Sequence, residues 1–217
     1  MKLIWSKYRK EGFTVLDLVI VLITVVLLVF LYPRMMFHRS RISCGRTRCV
    51  SNLRQVGLAF RLWSGDHGEK FPMAVSNREG GTSEFLKSNE VFQLFLVISN
   101  EVNTPTILAC PMDAVRKRTT DFAFFSNSNL SYFVGLDADE CVPQSILSGD
   151  RNISTNGRLM SGVLTLTTNP PVKWTRDLHH QTGNVGLGDG SAQQVPDPAL
   201  MRQITSVTNR SARVAIP

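Results

Sequence analysis

Apolar positions are unevenly spread along this chain. From Phe13 to Tyr32, twenty residues carry a single charged side chain, Asp17. At about 1.5 Å per residue, a helix over that block spans about 30 Å, the thickness of a bilayer's hydrocarbon core. Pro33 is expected to end or kink it near its outer edge. Beyond, Cys49, Leu53, Val56, Phe60 and Trp63 recur every three or four residues, which predicts one apolar face of a resumed helix. Arg54 and Arg61 fall on other faces. The stripe stops at Ser64-Gly65-Asp66-His67-Gly68, a cluster of helix breakers.

The remainder reads as shorter pieces. Val91–Ile98 suits a short helix or a strand. Thr106–Cys110, Leu130–Leu136 and Val163–Thr167 carry strand-forming residues. Asn184–Leu187 and Ser191–Val195 flank Gly188-Asp189-Gly190, and Asp-Gly between two such runs predicts a hairpin turn. Asp197–Ile204 reads as a last short helix. The pattern predicts an α+β protein: a long N-terminal helix, transmembrane in its first half, packed on a small antiparallel sheet domain. The segments are 13–32 transmembrane, 33–63 continuing the helix, and 64–217 globular.

Composition adds two points. With 43% apolar residues the chain can build a core, which excludes global disorder. The net charge is +7, of which residues 1–12 supply +3 through Lys2, Lys7, Arg9 and Lys10 against Glu11. Seven arginines between Arg34 and Arg61 precede the next acid, Asp66. Their ordinary reading is a solvated face just outside a membrane, and their sharper one is attraction to anionic lipid or nucleic acid. Of the four cysteines, Cys44 and Cys49 sit five apart on the expected helix and point away from each other. Cys110 and Cys141 lie in the globular part and are the candidate disulfide of an oxidising compartment. The spacings match no zinc motif.

An acid inside a membrane span costs a few kcal/mol unless it finds a partner. An ordinary secretory signal has a shorter apolar stretch and a small-residue cleavage site, absent at Tyr32-Pro33-Arg34-Met35. The run Lys10-Glu11-Gly12-Phe13-Thr14-Val15-Leu16-Asp17-Leu18 instead resembles the prepilin processing motif. The resemblance implies a 1–12 leader cut after Gly12 by a prepilin peptidase, methylation of the new N-terminal Phe13, and Asp17 at the fifth mature position, where the family usually has glutamate. Such a carboxylate is thought to pair with the terminal amine. The expected place is a bacterial inner membrane, crossed once, with the N-terminus inside and the globular part outside the cytoplasm, in a filament where the subunit assembles. Charge alone leaves orientation nearly even.

The stretch Asn52-Leu53-Arg54-Gln55-Val56-Gly57-Leu58-Ala59-Phe60, then Asp66-His67-Gly68 and Phe71-Pro72, is similar to a large bacterial group of pilin-like proteins. That group often ends in a His, nine residues, then Asp-Gly, which His179, Asp189 and Gly190 match. The resemblance implies a pilin-like fold and a structural role: a pseudopilin or minor pilin of a type II secretion or type IV pilus-like system, with the prepilin peptidase, other pilin-like subunits and the inner membrane as partners.

Candidate chemistry is sparse. His179, His180 and Asp189 have residue types for acid–base work or metal ligation. No nucleophile or third ligand accompanies them, and Asp189-Gly190 is first of all a turn. Asp137, Asp139 and Glu140 form an acidic knot, a candidate calcium site, because some major pseudopilins hold calcium in a C-terminal loop. It lacks helix-loop-helix calcium spacing, and a solvated acidic loop is the plainer reading. No phosphate loop, activated serine or zinc-protease motif is present, so no enzyme and no cofactor are expected. The alternatives are a DNA- or ligand-binding pilin-like protein and, last, a membrane-anchored enzyme using His179 and Asp189.

Overall fold

A computed structural model describes residues 14–206 and 212–217, with side chains placed outside 31–44. The leader and the processing residues Gly12 and Phe13 lie outside the described residues. The chain divides into two compact units, one ending at Cys44 and one spanning Gly45–Pro217.

Helix α1, Val15–Gly65, is a single element. It does not end at Pro33, and the expected continuation over 33–63 is helical. Its start is built by its own first turn. The Thr14 amide and hydroxyl both donate to Asp17 Oδ2, at 3.0 and 2.7 Å, and Thr14 Oγ1 accepts from the Asp17 amide at 3.3 Å. This is the reciprocal bonding of a capping box, with aspartate in the place of glutamate. From Val15 to Phe30 the apolar side chains are exposed. Among the described residues no helix is long and apolar enough to cross a membrane. The apolar run legible in the sequence begins before these described side chains and ends after them.

The second unit takes in the last part of α1, because Cys49, Leu53, Val56, Phe60 and Trp63 are all buried in its core. This unit thus begins within α1, at Gly45. Burial of side chains such as Leu53, Val56 and Phe60 contributes about 1.5–3 kcal/mol each. The helix ends where the breakers predict. His67 stacks on Trp63 with ring centroids 3.6 Å apart, and Gly68 and Glu69 take left-handed backbone angles. Phe71 then re-enters the core edge-on to Phe60.

After α1 come two short helices, α2 (Phe92–Leu96) and α3 (Ser99–Val102), and several single 3-10 turns. One of these, Pro105–Leu108, replaces the expected strand: Thr104 caps it by accepting from the Thr106 amide, and Pro105 occupies its first turn. The strands are β1 (Tyr132–Gly135), β2 (Ile146–Asp150), β3 (Ile153–Thr155), β4 (Arg158–Leu159), β5 (Gly162–Thr165), β6 (Val172–Trp174), β7 (Thr182–Leu187), β8 (Ala192–Pro196) and β9 (Arg213–Ile216). Helix α4, Asp197–Ser206, follows β8 directly.

Six strands form an antiparallel sheet in the order β5-β9-β1-β2-β7-β8, and β4-β3-β6 form a small second sheet. The large sheet is covered on both faces. Tyr132 and Val134 of β1 join the core that holds the α1 stripe, whereas Phe133 between them joins a second core with Trp174, Leu200 and Ile204. The α+β class and the antiparallel sheet are as the pattern predicts.

Candidate functional site

The His-x9-Asp-Gly match brackets β7. His179 precedes the strand and Asp189-Gly190 forms the turn that leads to β8. Six strand residues at about 3.3 Å each put the two ends about 20 Å apart. The motif therefore does not assemble an acid–base pair. Each end instead meets the second unit's stretch of α1 or its partner loop.

At the turn, the Asp189 carboxylate accepts from the Ser191 amide at 2.8 Å, and its carbonyl accepts from Arg61 at 2.9 Å. Gly190 has φ +82°, a conformation other residues rarely adopt. Its backbone lies so close to α1 that a Cβ on Gly57 would stand 3.1 Å from Gly190 Cα. The two glycines of separate sequence motifs are thus one contact, helix backbone on turn backbone. Gly57→Ala gains about 1 kcal/mol of helix propensity against that crowding and is expected near neutral. Gly57→Leu should overpack the contact and cost about 1–3 kcal/mol. Urea unfolding measures both; an unshifted midpoint for the leucine variant would refute the close approach.

At the other end, His179 is fully buried. Its Nε2 lies 3.3 Å from Asp150 Oδ2 and 3.4 Å from Cys110 Sγ. Burial, with the charge of Arg46 and then His180, pulls the imidazole down to about 4, so it is neutral. Asp150, also fully buried, is held by the Asn184 amide at 2.7 Å and the Asn184 side chain at 2.9 Å. Burial pushes its carboxyl up to about 8 against those bonds. Among the described residues, Asp150 Oδ1 and His179 Nδ1 have no hydrogen-bond partner, a costly state for polar atoms in a core.

Cys110 is bonded to Cys49, with Cα atoms 5.3 Å apart, and Cys141 is free and exposed. This corrects the expected Cys110–Cys141 pair. Cys49 occupies the inward stripe of α1, so it faces the core where Cys110 is buried, whereas Cys141 lies at the surface. Beside the bridge, Asp113 and Arg151 form a buried two-point ion pair at 2.7 and 2.8 Å.

The acidic knot is spent on other partners. Asp137 binds Arg213 through both carboxylate oxygens and takes its amide at 2.9 Å. Glu140 accepts from Arg61 at 3.2 Å and from the Ser64 hydroxyl. Asp139 accepts from the Cys141 amide at 2.9 Å. Among the described residues, these three do not gather into a metal-ligand set, because their oxygens point to different arginines and amides. They line one wall of a 740 Å³ cavity with Lys70, Phe71 and Arg213.

Sequence reasoning missed Asp150, Asn184, Asp113 and Arg151. Asp150 and Asn184 lie in strands buried on both faces, where polar residues carry no periodic signal, and Asp113 and Arg151 lie in connecting segments outside the helices and strands. The Cys49 pairing was within reach, since its place in the apolar stripe already pointed it inward. Comparison with known families, curated proteins and solved structures finds no match for this chain.

Proposed function

We propose that this chain is a structural pilin-like subunit, a pseudopilin or minor pilin of a type II secretion or type IV pilus-like system. It is anchored in the bacterial inner membrane by the first part of α1 and trimmed by a prepilin peptidase after Gly12. The observation that carries this reading is the change of character along α1. From Val15 to Phe30 its apolar side chains are exposed, with Asp17 at its first turn, whereas from Cys49 onward an apolar stripe is buried in the sheet's core. Exposed apolar side chains on consecutive helical turns call for lipid or neighbouring helices as their surroundings. The separation of His179 from Asp189 leaves an acid–base enzyme reading without its pair.

The test is the mature N-terminus. Protein taken from membranes should begin at Phe13 with an added methyl, read by mass spectrometry. Gly12→Val should leave uncut precursor; trimming that proceeds normally in this variant would refute the peptidase step. Asp17→Asn separates two roles. Loss of assembly with retained membrane insertion supports pairing with the terminal amine, and unchanged assembly assigns Asp17 only to the Thr14 cap.

A further inference from the structure

We propose that Cys49, Cys110, His179 and Asp150 form a second-state metal site: when the disulfide is opened, they hold one zinc-class divalent ion. The ligand atoms of Cys49, Cys110 and His179 all lie within 4.8 Å of one another, and all three residues are buried. Tetrahedral zinc with bonds of about 2.0–2.3 Å places neighbouring sulfur and nitrogen ligands about 3.5 Å apart, and nitrogen and oxygen about 3.3 Å apart. His179 Nε2 stands 3.4 Å from Cys110 Sγ and 3.3 Å from Asp150 Oδ2. Two thiolates and an imidazole are a donor set that selects zinc over calcium or magnesium. Asp150 lies outside that three-residue group, 3.3 Å from His179 Nε2, and becomes the fourth ligand only as the parted sulfurs and the ion draw its Oδ2 in.

The supporting shell is in place. The Asn184 amide and side chain fix Asp150 Oδ2, the kind of outer contact that orients a metal ligand. Two thiolates and a carboxylate around a divalent ion leave one negative charge, and the cationic Arg46 acts at His179. The chemistry balances. A dithiol reductant gives two electrons and two protons to the Cys49–Cys110 bond and becomes a disulfide itself. The ion then displaces to solvent the two thiol protons and, where Asp150 is protonated, its carboxyl proton as well. On reoxidation a disulfide oxidant takes the two electrons from the sulfurs and, with two protons from solvent, becomes a dithiol; the Cys49–Cys110 bond re-forms and the ion leaves. Both states tie α1 to the loop at Cys110, so the helix stays docked before oxidation as well as after it. The inference is independent of the role in a filament.

The experiment uses the full chain in detergent with Cys44→Ser and Cys141→Ser, so that the remaining thiols are Cys49 and Cys110. A phosphine reductant under exclusion of oxygen opens the bridge, and cobalt(II) is titrated in. A single equivalent should give thiolate-to-cobalt charge transfer and the intense visible bands of tetrahedral cobalt, bleached by zinc. The oxidised protein should give neither. His179→Gln should weaken cobalt binding by about 10–100-fold. Absent bands in the reduced, folded protein, or equal affinity in His179→Gln, overturns the proposal. Should reduction unfold the chain, zinc must restore its helical circular dichroism under the same reductant; no recovery also overturns it.

Discussion

Asp113→Asn is expected to cost about 3–5 kcal/mol, because it leaves the Arg151 guanidinium buried without a counter-charge. The two side chains are almost wholly inaccessible and meet at 2.7 and 2.8 Å. Asp113 Oδ1 also accepts from the Val115 amide at 3.0 Å and the Arg116 amide at 3.3 Å, bonds an asparagine oxygen can keep, so the loss falls on Oδ2 and its bond from Arg151 Nε. The pair's net worth is a separate quantity. Asp113→Asn with Arg151→Met should recover part of the loss, since removing both charges removes the desolvation penalty too. Acid offers a second readout. Burial pushes the Asp113 carboxyl up, but the hydrogen bonds and charge of Arg151 outweigh this and leave it below its ordinary value of 3.8. A depressed acid contributes stability that is fully present above the ordinary value and is lost as pH falls through the folded one. The wild type should therefore lose this contribution below about pH 4, and the Asn variant should lack that part of the acid slope. Parallel acid limbs in the two proteins would contradict the assignment.

Removing the Cys49–Cys110 bridge is expected to cost about 4 kcal/mol. The bridge closes a loop with a sequence separation of 61, and the loop-closure entropy it removes from the unfolded chain is of that size. Cys49→Ser with Cys110→Ser should lower the urea midpoint by the corresponding amount with an unchanged native spectrum. Cys141→Ser should do nothing, since Cys141 is exposed and free. A midpoint that moves with Cys141 instead would restore the pairing expected from sequence. These measurements belong in chelator, so that no metal replaces the bridge.

The α1 stripe, the Asp-Gly hairpin and α4 were legible because each has a local cause: period, turn chemistry, or a short amphipathic run. Strand β2 was not. Its Ser148, Gly149 and Asp150 are polar or small, yet all of it is buried. Gly149 is required there by the Phe133 ring, which a Cβ would meet at 2.6 Å. Such a choice is made by the residue paired with it across the sheet on β1, sixteen positions earlier in the chain, and leaves no periodic trace. The Thr106–Cys110 segment misled because its residues favour strands while Thr104 and Pro105 impose a turn. Of the candidate site, His179 and Gly190 were visible as residues. What they touch, Cys110 and Gly57, became visible only when the chain was folded.

The two attachments of α1 differ in kind. One is the covalent bond at Cys49; the other, eight residues and about 12 Å further along the helix, is the Gly57–Gly190 contact. In mechanical terms, a pull on α1 from its N-terminal side reaches the covalent anchor before it reaches the packed one. The load passes through sulfur into the loop beside the Asp113–Arg151 pair and bypasses the backbone ladder of β7 and β8. Resistance to such a pull is a matter of unfolding rate rather than equilibrium stability. The oxidised bridge should therefore slow forced extraction of the helix more than its share of the folding free energy suggests.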